Sequence, residues 1–221
     1  MKLEDIWVVI PAYNESKYIE KVLSRVLAVT SRVVVVDDGS TDKTALLAAK
    51  HIPHVLQHSL NLGKGAALKT GCEYVFQQLG GGGVIFFDGD DQHDPELLMT
   101  FAQELTHSQA VLGVRSFDTQ MPLIRIIMNR VASVLTLILF GKYVPDIPCG
   151  YKAITKQTYS KIQWESNDYA VEMEIAARLS YYKIAFAVVS IPTIYHDLDR
   201  GMTILDTLTI IPRMLRWRLF I

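Results

Sequence analysis

The segment DGDDQHDP (88–95) holds the residues best suited to chemistry in this chain. Asp88 and Asp90 stand two apart, with Gly89 between them, directly after the apolar run VIFF (84–87). Two carboxylates this close repel unless positive charge lies between them. A hard divalent cation meets that need. Asp88, Asp90 and the side-chain carbonyl of Gln92 are the oxygen donors that Mg²⁺ or Mn²⁺ prefers, and such a cation keeps waters and bridges substrate phosphates. The plainer alternative is a polar turn, with Asp94 capping a helix that Pro95 starts. His93 and His196 read as solvent-facing or capping residues, not as metal ligands.

Three more segments carry polar groups after apolar runs. VDDGSTD (36–42) brings Asp37 and Asp38, which can accept hydrogen bonds from a ribose or a nucleobase, or serve a turn. PAYNE (11–15) follows the first apolar run and offers Tyr13 for stacking on a base. A dinucleotide fold would have G-x-G-x-x-G there; its absence speaks against a dehydrogenase. NLGKG (61–65) opens a helix, its glycines allow close backbone approach, and Lys64 can neutralise phosphate. It does not meet the P-loop pattern.

These segments need a frame that brings them together. Short buried strands are expected at 6–10, 33–36, 55–57, 84–87 and 110–114, with a late strand at 184–191. Apolar periodicity gives helices at 16–28, 42–50 (capped by Thr41), 64–79, 94–105, 122–140 and 171–182. Strand, helix and strand in alternation make an α/β fold with a parallel sheet. Ligands of such sheets bind beyond the carboxyl ends of the strands, where all four polar segments fall.

The chain has 221 residues, half of them apolar, and a formal net charge of −1. That suits one α/β domain and gives no basic bias toward nucleic acid. Two cysteines make no disulfide framework and suggest a reducing compartment. The acidic N-terminus is unlike a secretory leader, and no apolar run reaches the roughly 18 residues of a membrane span. Residues 202–221 place Ile204, Leu208, Ile211 and Leu215 at helical spacing, with Arg213, Arg216 and Arg218 beside Trp217. Pro212 is expected to divide them into two short helices. This segment and the apolar 122–140 stretch suit either a membrane surface or a protein interface.

Taken in order, IPAYNE, VVDDGSTD, NLGKGAAL and DGDDQHDP resemble glycosyltransferase family 2, above all its dolichyl- and polyprenyl-phosphate mannose and glucose synthases. The resemblance implies a GT-A fold, a Rossmann-like mostly parallel sheet flanked by helices. It implies inverting transfer from a nucleoside-diphosphate sugar with a divalent cation. It assigns Pro11, Tyr13, Glu15, Asp37 and Asp38 to the nucleotide, with Lys64 and Gly89 near the donor. Arg115 matches an arginine that faces the donor phosphates. Asn129-Arg130 and Asp146 with Cys149-Gly150-Tyr151 match further family stretches, and Glu172 and Glu174 match a late acidic pair.

If the acceptor is a polyprenyl phosphate, Arg125, Arg130 and Arg200 are candidates to position it. If it is a hydroxyl, a base is required, and Asp146, Glu172 and Glu174 are candidates. The segment 199–203 lacks the lysine of the lipid-phosphate synthases. The expected organisation is a catalytic domain over 1–201, with nucleotide (1–115) and acceptor (116–201) halves, then the amphipathic 202–221. The expected location is cytoplasmic, peripheral on a membrane, with a second copy or a membrane protein left open as partner. A sugar nucleotidyltransferase and a non-catalytic GT-A-like membrane-associated protein are the competing readings.

Overall fold

The structure, a computed structural model, describes residues 1–116, 123–192 and 204–220. Its frame is one seven-stranded sheet in the order β3-β2-β1-β4-β6-β5-β7. The strands are β1 (Ile6–Ala12), β2 (Val33–Asp37), β3 (Val55–Gln57), β4 (Gly83–Phe86), β5 (Ala110–Arg115), β6 (Lys152–Thr155) and β7 (Phe186–Ile191). β6 runs antiparallel to both β4 and β5; the other described pairings are parallel.

The helices are α1 (Ile19–Leu27), α2 (Thr44–Ala49), α3 (Lys64–Gln77), α4 (Leu98–His107), α5 (Leu123–Phe140), α6 (Lys156–Ile162), α7 (Val171–Tyr181) and α8 (Ile204–Phe220). The run VVVV is buried on both sides because helices cover both faces of the sheet. Val34 and Val36 join Val9 in the core under α3 and α5–α8, whereas Val33 and Val35 join Val8 and Ile10 in the core under α1 and α4. β1 to β5 are parallel to one another, so Ala12, Asp37, Gln57, Phe86 and Arg115 all end at one edge.

Several sequence expectations shift. β6 and α6 are additional elements. Asp42, not Thr41, supports the start of α2: its Oδ1 accepts the Thr44 N–H at 2.9 Å. Asp94 does cap, accepting the Glu96 N–H at 3.2 Å, but the first turn, Pro95–Leu97, is 3₁₀ before α4 begins. Pro212 does not divide the C-terminal segment; α8 is one helix with proline inside it. Proline removes one N–H donor, and the packing of Ile210, Met214 and Trp217 into the core holds the helix through it. Among the described residues no helix is long and apolar enough to cross a membrane.

Candidate active site

The edge is assembled from loops that bond to one another. Pro11 is registered beside Val36 and Ala12 beside Asp37, so PAYNE and DDGST emerge as neighbours. Asn14 donates its N–H to Ser40 Oγ at 2.9 Å and accepts the Thr41 N–H at 2.9 Å. The Glu15 N–H reaches Thr44 Oγ1 and the Ser16 N–H reaches Asp42 Oδ2, at 2.8 and 3.1 Å. Tyr13 remains exposed.

The two aspartates of DDGS face different tasks. Asp37 Oδ2 accepts from Ser40 N at 3.3 Å and Gln57 Nε2 at 3.1 Å; its Oδ1 is buried with no hydrogen-bond partner among the described residues. A buried acceptor without a donor is costly, so Asp37 Oδ1 has an unmet need for a donor. A cavity of about 380 Å³, lined by Gly39, Ser40, Thr41, Gln57, His58 and Ser59, opens at this strand end. Asp38 instead holds the next loop. It accepts the N–H groups of Leu62 and Gly63 at 3.0 and 2.7 Å and lies 2.7 Å from His58 Nδ1.

That loop delivers Lys64. Gly63 has φ 99°, and a Cβ at Gly63 or Gly65 would overlap backbone atoms of Asn167 or Ser166. The loop therefore lies backbone to backbone against 165–168, with Gly65 N donating to Asn167 O at 2.6 Å. Glu174 fixes that support. Its carboxylate is fully buried and accepts the N–H groups of Glu165 and Ser166 at 2.9 and 2.8 Å, and Arg178 Nε at 2.6 Å.

Lys64 Nζ ends 2.7 Å from Asp88 Oδ1 and 2.9 Å from Glu172 Oε1. Burial alone would lower its pKa, but these two carboxylates hold it above that of an ordinary lysine. Burial likewise opposes ionisation of Asp88, yet Lys64 and His93 keep its carboxyl well below the usual range. Asp90 moves the other way, raised by burial and then by the charge of Asp88. Glu172 is shared with Lys152, a fully buried lysine that also donates to the carbonyls of Ile147 and Cys149.

His93 corrects its sequence reading. It is buried, with Nε2 3.2 Å from Asp88 Oδ2 and its ring beside Phe87 and Tyr151. Gly150 closes the cluster, since a Cβ there would overlap Asp88 Oδ2 and sit 2.8 Å from Lys64 Nζ.

The remaining candidates separate. Asp146 is buried and accepts from Arg115 N, Nε and Nη2 at 3.0, 2.9 and 2.8 Å, and from Asn129 Nδ2 at 3.0 Å. Asp146, Glu172 and Glu174 thus each hold cations or backbone N–H groups; none is placed as an unengaged base. Arg130 is exposed on α5, Arg125 stands one turn earlier on the same helix, and Arg200 lies outside the described residues.

Among the described residues no three His, Cys, Asp or Glu side chains are grouped to hold a metal ion. Asp88, Asp90 and the Gln92 carbonyl still fit Mg²⁺ or Mn²⁺ as hard oxygen donors, with the rest of the shell left to water and phosphate.

The model of the family "Glycosyl transferase family 2" matches residues 7–162. The chain belongs to this family. An uncharacterized protein of Methanocaldococcus jannaschii is 34% identical over 205 residues, covering 86% of this chain and 88% of its own. A UDP-N-acetylglucosamine–dolichyl-phosphate N-acetylglucosaminyltransferase of Methanococcus voltae is 27% identical, covering 95% of this chain and 94% of its own. A crystal structure of glucosyl-3-phosphoglycerate synthase from Mycobacterium tuberculosis superposes with TM-score 0.73 at 21% identity, over 96% of this chain and 80% of that one. The GT-A fold is thereby established, and this family 2 member is a glycosyltransferase.

Sequence reasoning missed Lys152, His58 and the support role of the acidic pair. A signal for Lys152 existed: a lysine directly after Cys149-Gly150-Tyr151, at the head of the short strand KAIT.

Proposed function

We propose that this enzyme transfers a hexose, with inversion, from a nucleoside-diphosphate sugar to a polyprenyl phosphate. The convergence of Lys64, Asp88 and Asp90 at the carboxyl edge of the sheet carries the reading. Asp88, Asp90 and Gln92 would hold Mg²⁺ or Mn²⁺, which when bound neutralises charge on the donor diphosphate. A structure of the M. tuberculosis synthase contains Mn²⁺ and UDP, which supports this assignment by analogy of fold. Lys64 adds a preorganised positive charge beside the leaving diphosphate, the electrostatic contribution expected of such a site. Asp37 Oδ1 and Tyr13 receive the nucleoside, and the Asp38-held loop keeps Lys64 in place.

The acceptor follows from what the carboxylates are doing. A hydroxyl acceptor needs a base within hydrogen-bond reach, and Asp146, Glu172 and Glu174 are all engaged. A phosphate oxygen is already anionic and needs none. The named relatives include the dolichyl-phosphate transferase above and a polyprenol monophosphomannose synthase of Mycolicibacterium smegmatis, 27% identical over 89% of this chain and 79% of its own. Arg125, Arg130 and Arg200 would meet the acceptor phosphate by charge-assisted hydrogen bonds. Residues 1–115 serve the donor and 116–201 the acceptor, in a protein peripheral to the cytoplasmic face of a membrane.

Titration calorimetry with a panel of nucleotide sugars, with Mg²⁺, Mn²⁺ or chelator, tests the donor half of this reading. Metal-dependent binding that weakens in Asp90→Asn is expected. Absence of nucleotide binding under every condition would reject it.

A further inference from the structure

The loop that carries Asp88, Asp90 and Gln92 turns on a residue in an uncommon backbone conformation. Asp91 has φ 62°, in the left-handed region that residues other than glycine seldom adopt, aspartate being one of the more tolerant. The turn brings the Gln92 N–H back onto Asp90 Oδ1 at 3.1 Å, so the conformation at Asp91 sets how Asp90 and Gln92 stand to each other. The Asp91 side chain is 3% exposed, and α1 engages both of its oxygens: Lys21 Nζ lies 2.6 Å from Oδ2 and Arg25 Nη1 lies 2.9 Å from Oδ1. The other arm of the Arg25 guanidinium reaches Asp94 Oδ1 at 3.3 Å. Lys21 and Arg25 are four residues apart and so share one stripe of α1. The opposite stripe is anchored, because Val22, Leu23 and Val26 are buried in the same core as Phe87 and Leu98, which flank the loop.

We propose that Lys21 and Arg25 are positioning residues for the cation site: by clamping Asp91 and Asp94 to α1 they hold the turn in which Asp88, Asp90 and Gln92 can share one Mg²⁺ or Mn²⁺. This rests on the cation site assigned above. A strained conformation persists only where its surroundings over-determine it, and here two cations and burial fix the Asp91 side chain. Groups that orient metal donors from behind govern affinity without touching the ion. The sign of the effect separates this role from a simple field effect. Removing two positive charges from the neighbourhood favours a bound cation on Coulomb grounds, whereas releasing the turn disfavours it.

Mn²⁺ titrated into the full chain tests the clamp, with free and bound ion distinguished by electron paramagnetic resonance. The titration is run with Mn²⁺ alone and with UDP or GDP, against nucleotide without protein. The parent is expected to bind Mn²⁺ and Asp90→Asn to lose that binding. Lys21→Met/Arg25→Met, which alters no donor, should weaken binding by about tenfold or more while keeping a cooperative urea transition. Arg25→Gln leaves Lys21 on Asp91, spares the fold if the double variant does not, and should weaken binding in the same direction by a smaller factor. Unchanged or tighter Mn²⁺ binding in the folded variants, with only a lower urea midpoint, overturns the proposal and leaves the cation site standing. Absence of Mn²⁺ binding by the parent under every condition rejects the cation site, and the clamp's role with it.

Discussion

Lys64 Nζ lies 2.7 Å from Asp88 Oδ1, so the first residue of α3 and an aspartate just past β4, from separate motifs, form one partly buried ion pair. Glu172 completes it from α7 at 2.9 Å. Lys64→Met leaves these carboxylates without their shared cation. Breaking a fully buried pair from one side typically costs about 3–5 kcal/mol, and this partly exposed one costs less, so a lower denaturant midpoint is expected, with transfer reduced about a hundredfold or more. Adding Asp88→Asn, which removes the carboxylate that pairs with Lys64, should recover part of the stability and none of the activity. Equal turnover by the single variant and the parent would remove Lys64 from the site.

Gly150 allows Asp88 and Lys64 to approach backbone where any side chain would intrude. Gly150→Ala is expected to displace this pair, lowering kcat and weakening metal-dependent nucleoside-diphosphate binding while the protein remains folded. Steady-state kinetics with parallel calorimetry make the check; loss of nucleotide affinity with kcat preserved would contradict it.

The parallel part of the sheet was legible because IWVVI, VVVV and VIFF are apolar throughout, as strands covered on both faces must be. β6 was not, because it is short and opens on Lys152, which is neutralised by Glu172, twenty residues later in the sequence. α6, KQTYSKI, carries too few apolar residues to announce a helix. DGD and GK marked the right residues for the cluster, yet nothing in spacing says that Lys64 reaches Asp88. Asp38 reads like Asp37 in sequence; only the turn that follows sends one to Ser40 N and Gln57 Nε2 and the other to the Leu62 and Gly63 N–H groups. The acidic pair on α7 looked like bases because burial is invisible in a charged residue until its partners, Lys152 and Arg178, are found.

Asp42 ties the PAYNES loop to α2, and its acid behaviour is predictable. Burial opposes its charge, but the hydrogen bonds from Thr44 and Ser16 together outweigh it and lower its pKa from 3.8 to about 2. A depressed folded-state pKa contributes stability that is full above the unfolded value and is lost as pH falls through the folded one. Asp42→Ala should therefore cost about 1 kcal/mol at neutral pH. The gap from the parent should close as pH falls from 3.8 toward about 2. Urea titrations across that window check this; a gap that widens toward acid would contradict it.

The central claim is that the Asp88 edge catalyses hexose transfer to a lipid phosphate. The most direct measurement supplies labelled nucleoside-diphosphate sugars and polyprenyl phosphate to the parent enzyme and to Asp88→Asn, with Mg²⁺ or Mn²⁺ and with chelator, and follows label into the organic phase. The account predicts metal-dependent formation of a polyprenyl-phosphate sugar by the parent, reduced about a hundredfold or more in Asp88→Asn. Label entering the lipid equally with both proteins, or entering only a hydroxyl acceptor, would contradict it.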